Sequence, residues 1–409
     1  MNLKITAPSR LVGSIELPAS KSLSNRLLMA QALSEQPFQV YNLAQCDDVQ
    51  AMQHALQSDS GTIDVGAAGT AMRLLTAFFS LQEGRTVVLD GCERMRCRPI
   101  DILVDALRAL GANIQYCHRD GFPPLQITGT KLQGQELSMQ GNVSSQFISA
   151  ILLIAPIVGG ITLHLVGEIA SRPYIDMTVQ LMVDLGVDAH WSDECTIHVP
   201  AGQYRGYSYV VEADWSAASY WIALQALLPS SSISLRGLRP HSLQGDSNML
   251  DFVAPLGVKA KWQGEDLGLS TKPACCCCST FADLKCNPDL AQTLVVLMCL
   301  MERPFRFTGL QSLRIKETDR LEALRLELAK LGYLVKIEGD DAMSWHFEKT
   351  QPQRAPLINT HGDHRMAMAM AMAAVRFPQL TIANAEVVSK SYPQYWQHLQ
   401  SVGFTLQEC

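Results

Sequence analysis

The chain has 409 residues, and 33 Lys and Arg side chains stand against 39 Asp and Glu, a formal net charge of −6. An acidic chain lacks the overall positive field that binds nucleic acid or an anionic membrane surface, so the composition argues against both partners. Hydrophobic residues make up 47% of the chain and charged residues 18%, which predicts well-packed globular domains. The length exceeds what one hydrophobic core usually supports, so we expect two domains.

The start of the chain, MNLKITAPSR, lacks the apolar core of a signal peptide. The most apolar stretch, residues 151–158, is too short to cross a bilayer. We therefore expect a cytoplasmic protein without a membrane partner, and we expect it to be a monomer.

The first candidate site in chain order is residues 18–26, a turn of small and hydroxylated residues that leads into a predicted helix. The free N–H groups and the dipole at a helix start favour an anion. Ser22 and Arg26 are four residues apart on one helical face, and Lys21 precedes them, so together they can bind a carboxylate or phosphate. The alternative is a solvated helix start. The P-loop motif is absent from the sequence, which argues against nucleoside-triphosphate chemistry.

Four further segments of the first half precede predicted helices and carry the same kinds of residue: 66–73, 94–99, 144–146 and 171–174. Glycines in the first segment let a ligand approach backbone amides closely. Arg98, just before a helix that opens with Pro99, can be presented to a phosphate. The alternatives are tight packing for the glycines of residues 66–73, a surface charge cluster for residues 94–99, and ordinary N-capping for residues 144–146 and 171–174.

An unbroken run of four cysteines at residues 275–278 belongs to a total of 12. The length of the chain and the missing secretory signal argue against a disulfide framework, so buried free thiols are expected. A soft-metal site that includes Cys286 is the alternative. Four adjacent side chains cannot all point one way in a strand, and neither a CxxC pair nor a nearby His supports zinc, so we expect no metal.

The second half adds cations beside carboxylates. Lys316 and Arg320 are predicted to share one helical face, with Glu317 beside them. A carboxylate flanked by cations stays ionised and can accept a proton, whereas the alternative is an intrahelical salt-bridge network. Asp289 can bind and deprotonate a sugar-like hydroxyl, and Lys390 closes the series.

A small-residue helix is predicted to begin at His364 and Arg365. The alternating methionines that follow them, at residues 366–372, are predicted to be core residues rather than a cofactor site.

An internal repeat runs through the chain. A helical apolar stretch ends in a glycine and is followed by a short strand-like segment at Gly111, Gly186, Gly257, Gly332 and Gly403, which are 75, 71, 75 and 71 residues apart. Such a unit is too long for a helical solenoid and suits several strands with two helices. We expect a degenerate sixth copy before residue 80 and six units divided between two domains. Ordinary helix-Gly-strand punctuation is the alternative.

Two of these units show the design in detail, because their leucines recur at helical spacing before the glycine. The predicted faces are Ile100, Leu103, Leu107 and Leu110 before Gly111, and Leu321, Leu324, Leu328 and Leu331 before Gly332. Gly332 is predicted to be the left-handed residue that ends its helix, with a strand over residues 333–337.

Taken together, six ordered motifs resemble those of the 5-enolpyruvylshikimate-3-phosphate synthase family. They are KSxSNR at residues 21–26, GTAMR at 69–73, RPI at 98–100, SSQF at 144–147, KETDR at 316–320 and DHRMAM at 363–368. The resemblance spans almost the whole chain. It implies an α/β (α+β) fold of two inside-out α/β barrel domains, each built from three βαβαββ repeats with pseudo-threefold symmetry. We assign residues 13–212 to the N-terminal domain and residues 1–12 with 213–409 to the C-terminal domain.

The resemblance also implies the site residues, in a cleft between the domains, with no cofactor and no metal. Phosphoenolpyruvate would be bound by Lys21, Gly69, Arg98, Gln146, Arg320, Arg365 and Lys390. Shikimate 3-phosphate would be bound by Lys21, Ser22, Arg26, Ser144, Ser145, Gln146, Ser171, Tyr174, Asp289, Ser312 and Lys316. The catalytic residues would be Asp289, Glu317 and Lys21.

The implied reaction belongs to the shikimate pathway, which leads to chorismate and the aromatic amino acids. The 5-hydroxyl of shikimate 3-phosphate attacks C2 of phosphoenolpyruvate while C3 gains a proton, and the tetrahedral intermediate then loses phosphate. No sequence argument divides the acid and base roles among the three catalytic residues. Because both halves supply cations, the free enzyme is expected to be open and to close when its phosphate-bearing ligands bind.

Three positions depart from the family pattern: Ala67 and Ser312 replace a frequent Asn, and Leu74 replaces a common Pro. They bear on the affinity for phosphoenolpyruvate and for glyphosate, the inhibitor that competes with it. Gly69 is retained, which favours inhibition, because a methyl group there would crowd the inhibitor.

Three other functions were weighed. The sister reaction on UDP-N-acetylglucosamine uses a reactive Cys five residues before the RP arginine, where this chain has Glu93. A non-catalytic anion-binding relative would have lost ionisable residues that are present here. An RNA-processing relative would carry a basic groove, which the acidic composition disfavours.

Overall fold

The computed structural model describes residues 1–36, 38–205, 208–272 and 280–409. The cysteine run at 275–278, and with it any soft-metal site, lies outside the described residues.

Most strands are four to six residues long. The strands are β1 (Leu3–Thr6), β2 (Val12–Glu16), β3 (Val40–Tyr41), β4 (Thr62–Asp64), β5 (Thr86–Asp90), β6 (Asn113–Tyr116), β7 (Leu125–Thr128), β8 (Glu136–Gln140), β9 (Gly160–Val166), β10 (His190–Trp191), β11 (Thr196–Pro200), β12 (Tyr209–Val210), β13 (Ser232–Arg236), β14 (Val258–Gln263), β15 (Asp266–Thr271), β16 (Thr280–Asp283), β17 (Phe305–Thr308), β18 (Lys336–Glu338), β19 (Ala342–Trp345), β20 (Leu357–Asn359), β21 (Leu380–Ala383) and β22 (Thr405–Glu408).

The helices alternate with these strands along the chain. They are α1 (Lys21–Leu33), α2 (Asp47–Gln57), α3 (Gly69–Ser80), α4 (Glu93–Arg96), α5 (Asp101–Ala109), α6 (Ser145–Ile154), α7 (Arg172–Asp184), α8 (Trp215–Leu227), α9 (Met249–Val253), α10 (Ala291–Leu300), α11 (Arg320–Lys330), α12 (His364–Ala371) and α13 (Tyr395–Ser401). No helix in the described part of the chain is long and apolar enough to span a membrane.

The chain divides into two compact units, one of residues 20–211 and one of residues 1–19 with 212–409. We call them the central unit and the terminal unit. The predicted first boundary lies at residue 13, earlier than the observed one, because β2 pairs in parallel with β13 of the terminal unit. The predicted second boundary, at 212/213, is one residue from the observed one.

The central unit contains two four-stranded sheets of the same order, β4-β5-β7-β6 and β8-β9-β11-β10. In each, the first two strands are parallel and are joined through a buried helix, α3 or α6, while the other pairs are antiparallel. A third, two-stranded sheet pairs β12 with β3 in parallel. Its strand β3 lies in the stretch before residue 80 for which a sixth copy of the repeat is predicted.

The terminal unit contains three four-stranded sheets, β2-β13-β15-β14, β16-β17-β19-β18 and β20-β21-β1-β22. Each again opens with a parallel pair and continues antiparallel. In the last sheet the third position belongs to β1, from the start of the chain, which pairs with both β21 and β22. Strands from the two ends of the chain thus share one sheet.

Three helices that follow the first strand of their sheets, α3, α10 and α12, are buried on all sides. Every residue of α3, α10 and α12 is buried, as expected of helices that are apolar all round. Helix α3 packs against α6 in the central unit, and α10 packs against α8 and α12 in the terminal unit. The alternating methionines of α12 are core residues, as predicted.

The two predicted leucine faces, on α5 and α11, are buried throughout. The five repeat glycines all have positive φ, from 81° to 107°, so each adopts the left-handed conformation that ends a helix. The strand predicted for residues 333–337 is interrupted: Tyr333 forms an isolated antiparallel bridge with Lys349, where the backbone N–H of Leu334 donates to the backbone oxygen of Glu348, and β18 begins only at Lys336.

The prediction of buried cysteines was mostly wrong. Of the described cysteines only Cys46 and Cys299 are buried, and Cys286 is partly exposed. The remaining five lie on the surface, where a short side chain at a strand end or loop is not covered: Cys92, Cys97, Cys117, Cys195 and Cys409.

Candidate active site

Arg320, the first residue of α11, is the centre of a buried ionic cluster in the terminal unit. Its side chain is 1% exposed and contacts three carboxylates: Asp363 at 2.6 Å, Asp289 at 3.0 Å and Glu317 at 3.0 Å. A planar guanidinium has five donors in a fixed fork, which suits several oxygens at once.

Two further cations complete this cluster. Nη2 of Arg365 lies 2.8 Å from Oδ2 of Asp289, and Nζ of Lys390 lies 3.0 Å from Oε1 of Glu317. Asp289 and Glu317, the two predicted catalytic carboxylates of this unit, are thus each held between two cations. We call Asp289, Glu317, Arg320, Asp363, Arg365 and Lys390 the Arg320 cluster.

The cations determine the protonation of Asp289. Burial acts to raise the pKa of Asp289, yet the charges of Arg365, Lys316 and Arg320 together hold it well below its usual range. Burial also acts against the charge of Arg320, but Asp363, Glu317 and Asp289 raise its pKa above the ordinary value. Asp289 is therefore ionised at neutral pH and can accept a proton.

The helical face predicted for Lys316 and Arg320 was wrong. Lys316 has an extended backbone, with φ −80° and ψ −150°, and α11 begins only at Arg320. The reason is Asp319, which caps the helix by accepting from the backbone N–H groups of Leu321 and Glu322. Lys316 still acts on Asp289 through its charge. Ser312 lies just upstream, in the 3-10 segment Gln311–Ile315, and is partly exposed.

In the central unit, the helix predicted after the turn of residues 18–26 is α1; it begins at Lys21, within that turn, with Ser20 as its N-cap. Nζ of Lys21 forms an ion pair of 3.0 Å with Asp48 of α2, whose side chain is buried. Lys21 is therefore held at the helix start by a neighbouring helix.

Arg26 lies deeper than a solvated helix start would place it. Its side chain donates to the hydroxyls of Thr178 at 2.7 Å and Ser149 at 2.9 Å, and to the backbone oxygen of Ser22 at 3.0 Å. Burial lowers the pKa of Arg26 to about 10. Arg26 thus joins α1 to α6 and α7, and it fixes the turn of Ser22.

Gly69, Arg98 and Gln146 come together at the start of α3. A Cβ on Gly69 would lie 2.6 Å from Nη1 of Arg98, so the absence of a side chain lets the guanidinium approach the backbone. Nε2 of Gln146 donates to the hydroxyl of Thr70 at 3.0 Å. Arg73 steadies the loop of Arg98, because its guanidinium donates to the backbone oxygen of Pro99 at 3.2 Å.

The predicted hydroxyl residues of the central unit lie at helix starts. Ser144 caps α6 and accepts from the backbone N–H of Gln146 at 3.4 Å, and Ser145 is the first residue of that helix. Ser171 precedes α7 in a left-handed conformation, with φ 53° and ψ 36°. Tyr174, in the first turn of α7, is close enough to Arg26 for its charge to act on that guanidinium.

Sequence reasoning missed four polar partners. Asp363 was quoted only as part of a motif, although it is the nearest carboxylate to Arg320, and Asp48 holds Lys21. Ser216 and Asp246 lie behind Arg365, as described below. No local signal marks these partners, since Asp363 and Arg320 are 43 residues apart. Within the described residues no group of His, Cys, Asp and Glu is arranged to hold a metal ion.

The sequence and the fold were compared with those of known proteins, and the matches extend over almost the whole chain. The sequence model of the family described as EPSP synthase (3-phosphoshikimate 1-carboxyvinyltransferase) matches residues 5–58 and 57–399. A 3-phosphoshikimate 1-carboxyvinyltransferase of Bacteroides fragilis (strain YCH46) is 48% identical, covering 100% of this chain and 99% of the relative. One of Mannheimia haemolytica is 35% identical, covering 98% and 99%. The solved EPSP synthase from Acinetobacter baumannii has a similar fold, with a TM-score of 0.78, 21% identity and complete coverage of both chains.

Proposed function

The chain belongs to the EPSP synthase (3-phosphoshikimate 1-carboxyvinyltransferase) family, and from this premise we propose how its residues carry out the reaction. The chain is an enzyme that transfers the enolpyruvyl group of phosphoenolpyruvate to the 5-hydroxyl of shikimate 3-phosphate, with release of phosphate. The sister reaction on UDP-N-acetylglucosamine is not favoured.

The ionised state of Asp289 supports its role as the proton acceptor. The hydroxyl oxygen of shikimate 3-phosphate forms a bond to C2 of phosphoenolpyruvate, and its proton passes to Asp289. A carboxylate held ionised by Arg365, Lys316 and Arg320 is a poor proton donor, so the proton that C3 gains comes from another group. We assign that donation to Lys21, because Glu317 is itself held between two cations, Arg320 and Lys390. In the second step C3 passes a proton to the carboxylate of Glu317 as the bond from C2 to the phosphate oxygen breaks and phosphate leaves.

The cations supply the charge stabilisation. We propose that Arg98, Gln146 and the backbone of Gly69 hold phosphoenolpyruvate from the central unit, with Lys21, Arg320, Arg365 and Lys390. Phosphate and carboxylate groups are matched by guanidinium and ammonium groups, which also stabilise the negative charge of the tetrahedral intermediate. The Arg320 cluster supports this proposal because ion pairs with Asp289 and Glu317 hold Arg320, Arg365 and Lys390 in place.

The remaining predicted residues are proposed to bind shikimate 3-phosphate. Those of the central unit are Lys21, Ser22, Arg26, Ser144, Ser145, Gln146, Ser171 and Tyr174, and those of the terminal unit are Asp289, Ser312 and Lys316. Arg26 fits a supporting position, since three of its five donors already bind Thr178, Ser149 and Ser22.

We also propose that each unit is an inside-out α/β barrel of three βαβαββ repeats with pseudo-threefold symmetry. The shared strand order of five sheets and the burial of α3, α10 and α12 support it.

We propose that the active enzyme is a monomer in the cytoplasm. Sedimentation equilibrium tests whether it is monomeric.

The decisive test measures phosphate release from phosphoenolpyruvate with shikimate 3-phosphate as acceptor, beside the same assay with UDP-N-acetylglucosamine. Release with shikimate 3-phosphate alone is the expected result. Release only with UDP-N-acetylglucosamine would assign the sister reaction, and no release with either acceptor would contradict both.

A further inference from the structure

A buried carboxyl, Asp246, lies behind the Arg320 cluster. It belongs to the 3-10 turn Gly245–Asn248 and is 2% exposed. The hydroxyl of Ser216, in the first turn of α8, donates to Oδ2 of Asp246. The same hydroxyl oxygen lies 3.3 Å from Nη2 of Arg365, which donates to it. That nitrogen is also the one that lies 2.8 Å from Oδ2 of Asp289.

A chain of contacts thus runs from Asp246 through Ser216 and Arg365 to Asp289. A hydroxyl that donates its single hydrogen to a carboxylate keeps its lone pairs for another donor. Asp246 therefore fixes which way the hydroxyl of Ser216 points, and the hydroxyl oxygen gives Arg365 a fixed acceptor on the side away from Asp289.

Hydrogen bonds anchor the 3-10 turn on two sides, to the segment that leads to Asp289 and to the segment that leads to α8, the helix of Ser216. Nδ2 of Asn287, two residues before Asp289, donates to the backbone oxygen of Gly245 at 2.7 Å. On the other side, Nε2 of Gln244 donates to the backbone oxygen of Ala213 at 2.8 Å and to Glu212 at 2.9 Å. The distance from Asp246 to Asp289 is thereby set by the fold rather than by flexible side chains.

Asp246 and Asp289 have pKa values shifted in opposite directions. Burial, and after it the charge of Asp289, raises the pKa of Asp246 to about 6, while Arg365 and the hydroxyl of Ser216 act in the opposite direction and Asp214 adds to the rise. Asp289, Arg365 and Asp214 are thus charged groups that act on Asp246. As the pH falls through about 6, Asp246 becomes neutral while Asp289 stays ionised.

We propose that Asp246 is a positioning residue that aligns Arg365 against Asp289 through the hydroxyl of Ser216. This inference rests on the proposed function and extends it to a residue that does not touch the substrate. When Asp246 is ionised, its negative charge makes Asp289 a stronger proton acceptor. When Asp246 is protonated, the positive charge of Arg365 acts on Asp289 and is no longer shared with Asp246. Asp289 then becomes a weaker proton acceptor.

The test compares pH profiles of kcat and of KM for phosphoenolpyruvate in the wild type and in Asp246→Asn, from pH 5 to 8.5. Asparagine keeps an oxygen acceptor for Ser216 but cannot ionise. The substrates carry phosphates that titrate in the same range, so the quantity to plot is the ratio of wild-type to variant kcat, in which substrate ionisation cancels. We expect a ratio of up to about tenfold above pH 7 that falls towards one with a midpoint near 6.

Two variants separate positioning from general destabilisation. Ser216→Ala interrupts the chain of contacts while Asp246 remains, so it should raise KM for phosphoenolpyruvate. When Asp246→Asn is then added to Ser216→Ala, the ratio of kcat before and after that addition should depend less on pH than the same ratio in the wild-type background. Asp176→Asn is the matched control: burial also raises the pKa of this carboxyl, but it pairs with Arg172 and accepts from the indole N–H of Trp191 in the central unit, outside the Arg320 cluster and the 3-10 turn. Its ratio to the wild type should not change between pH 5 and 8.5.

An active wild type with a flat ratio for Asp246→Asn would overturn the inference, and so would identical profiles for Asp246→Asn and Asp176→Asn. A wild type that releases no phosphate contradicts the proposed function instead, so the two failures are distinguishable. If Asp246→Asn does not fold, Ser216→Ala decides the matter by its KM for phosphoenolpyruvate, which the inference requires to rise.

Discussion

At Gly69 the backbone approaches a guanidinium so closely that no side chain fits between them. A Cβ there would lie 2.6 Å from Nη1 and 3.1 Å from Cζ of Arg98. Since the obstacle is the end of a long side chain, a methyl group would displace Arg98 rather than unfold α3. The residue is thus constrained by a neighbour in the candidate site and not by its own φ.

We predict that Gly69→Ala raises KM for phosphoenolpyruvate at least tenfold while KM for shikimate 3-phosphate changes less than threefold, because Arg98 is proposed to bind only the former. The loss of one charge-assisted hydrogen bond, about 1.5–3 kcal/mol, sets this magnitude. Steady-state kinetics with each substrate varied in turn measures it. Gly61→Ala is the control, since nothing lies within 4 Å of a Cβ there. Equal changes in the two KM values would contradict the assignment of Arg98.

The same geometry bears on glyphosate, which competes with phosphoenolpyruvate. With Gly69 retained, we expect the wild type to be inhibited and Gly69→Ala to be less sensitive. An inhibition titration that shows no effect on the wild type at about millimolar glyphosate would contradict this expectation.

Asp289 is predicted to lose its function when it can no longer ionise. Asp289→Asn should lower kcat by at least a hundredfold, since general base catalysis contributes about 10²–10⁴-fold. The charges that depress its pKa keep Asp289 ionised, so the wild type should show no acid limb from this group between pH 5 and 8, and a loss only as the pH falls towards its low pKa. Asp340→Asn, on a side chain that is 94% exposed, is the control. A tenfold or smaller effect of Asp289→Asn on kcat would exclude it as the proton acceptor.

At the scale of elements, α11 holds the candidate site at two points along one helix. Arg320 binds Asp363 at its start, and Glu327, two turns later, binds the segment that leads to Asp363. Oε2 of Glu327 accepts from the backbone N–H of Asn359 at 2.9 Å, and Oε1 lies 2.8 Å from Nε2 of His361. His361 has a φ of 53°, a conformation that a non-glycine residue keeps only when its surroundings enforce it.

We predict that Glu327→Ala destabilises the protein by about 3 kcal/mol, because Asn359 and His361 lose a buried acceptor. Urea unfolding measures the change. Glu322→Ala on the same helix is the matched control: its side chain is 42% exposed and pairs with Arg325, so about 1 kcal/mol or less is expected. An equal decrease in the free energy of unfolding for the two variants would show that the buried contacts of Glu327 do not stabilise the protein.

At the scale of the whole molecule, the two units differ in how the chain builds them. The central unit is continuous, from residue 20 to 211, and its described strand pairs all lie within that range. The terminal unit needs both ends of the chain, since β1 and β2 come from residues 1–19 and pair with strands beyond residue 212.

This difference predicts that residues 20–211 fold alone, whereas residues 212–409 do not. Without β1, the sheet β20-β21-β1-β22 loses the strand that joins β21 to β22. Circular dichroism should show a cooperative thermal transition for the first fragment and none for the second. Adding residues 1–19 to the second fragment through a flexible linker should restore its transition. A cooperative transition in residues 212–409 alone would contradict the prediction.

The features that the sequence by itself determined are those set by the spacing of residues close together in the chain. Helix starts at Lys21, Gly69 and His364, the buried leucine faces of α5 and α11, and the left-handed repeat glycines depend on residues within a few positions of one another. Such features are set by helix periodicity and by capping, which are readable in a short window. The order of the motifs was enough to indicate the family and its reaction.

Only the tertiary structure decided the partners of the charged residues. Asp363 beside Arg320, Asp48 beside Lys21, and the contacts from Asp246 to Asp289 depend on how helices and turns from distant parts of the chain pack together. The extended backbone at Lys316 follows from the cap at Asp319, which competed with a helical pattern that looked continuous in sequence. Burial and long-range contacts fix pKa values and hydrogen-bond partners, and neither is encoded in the spacing of any one segment.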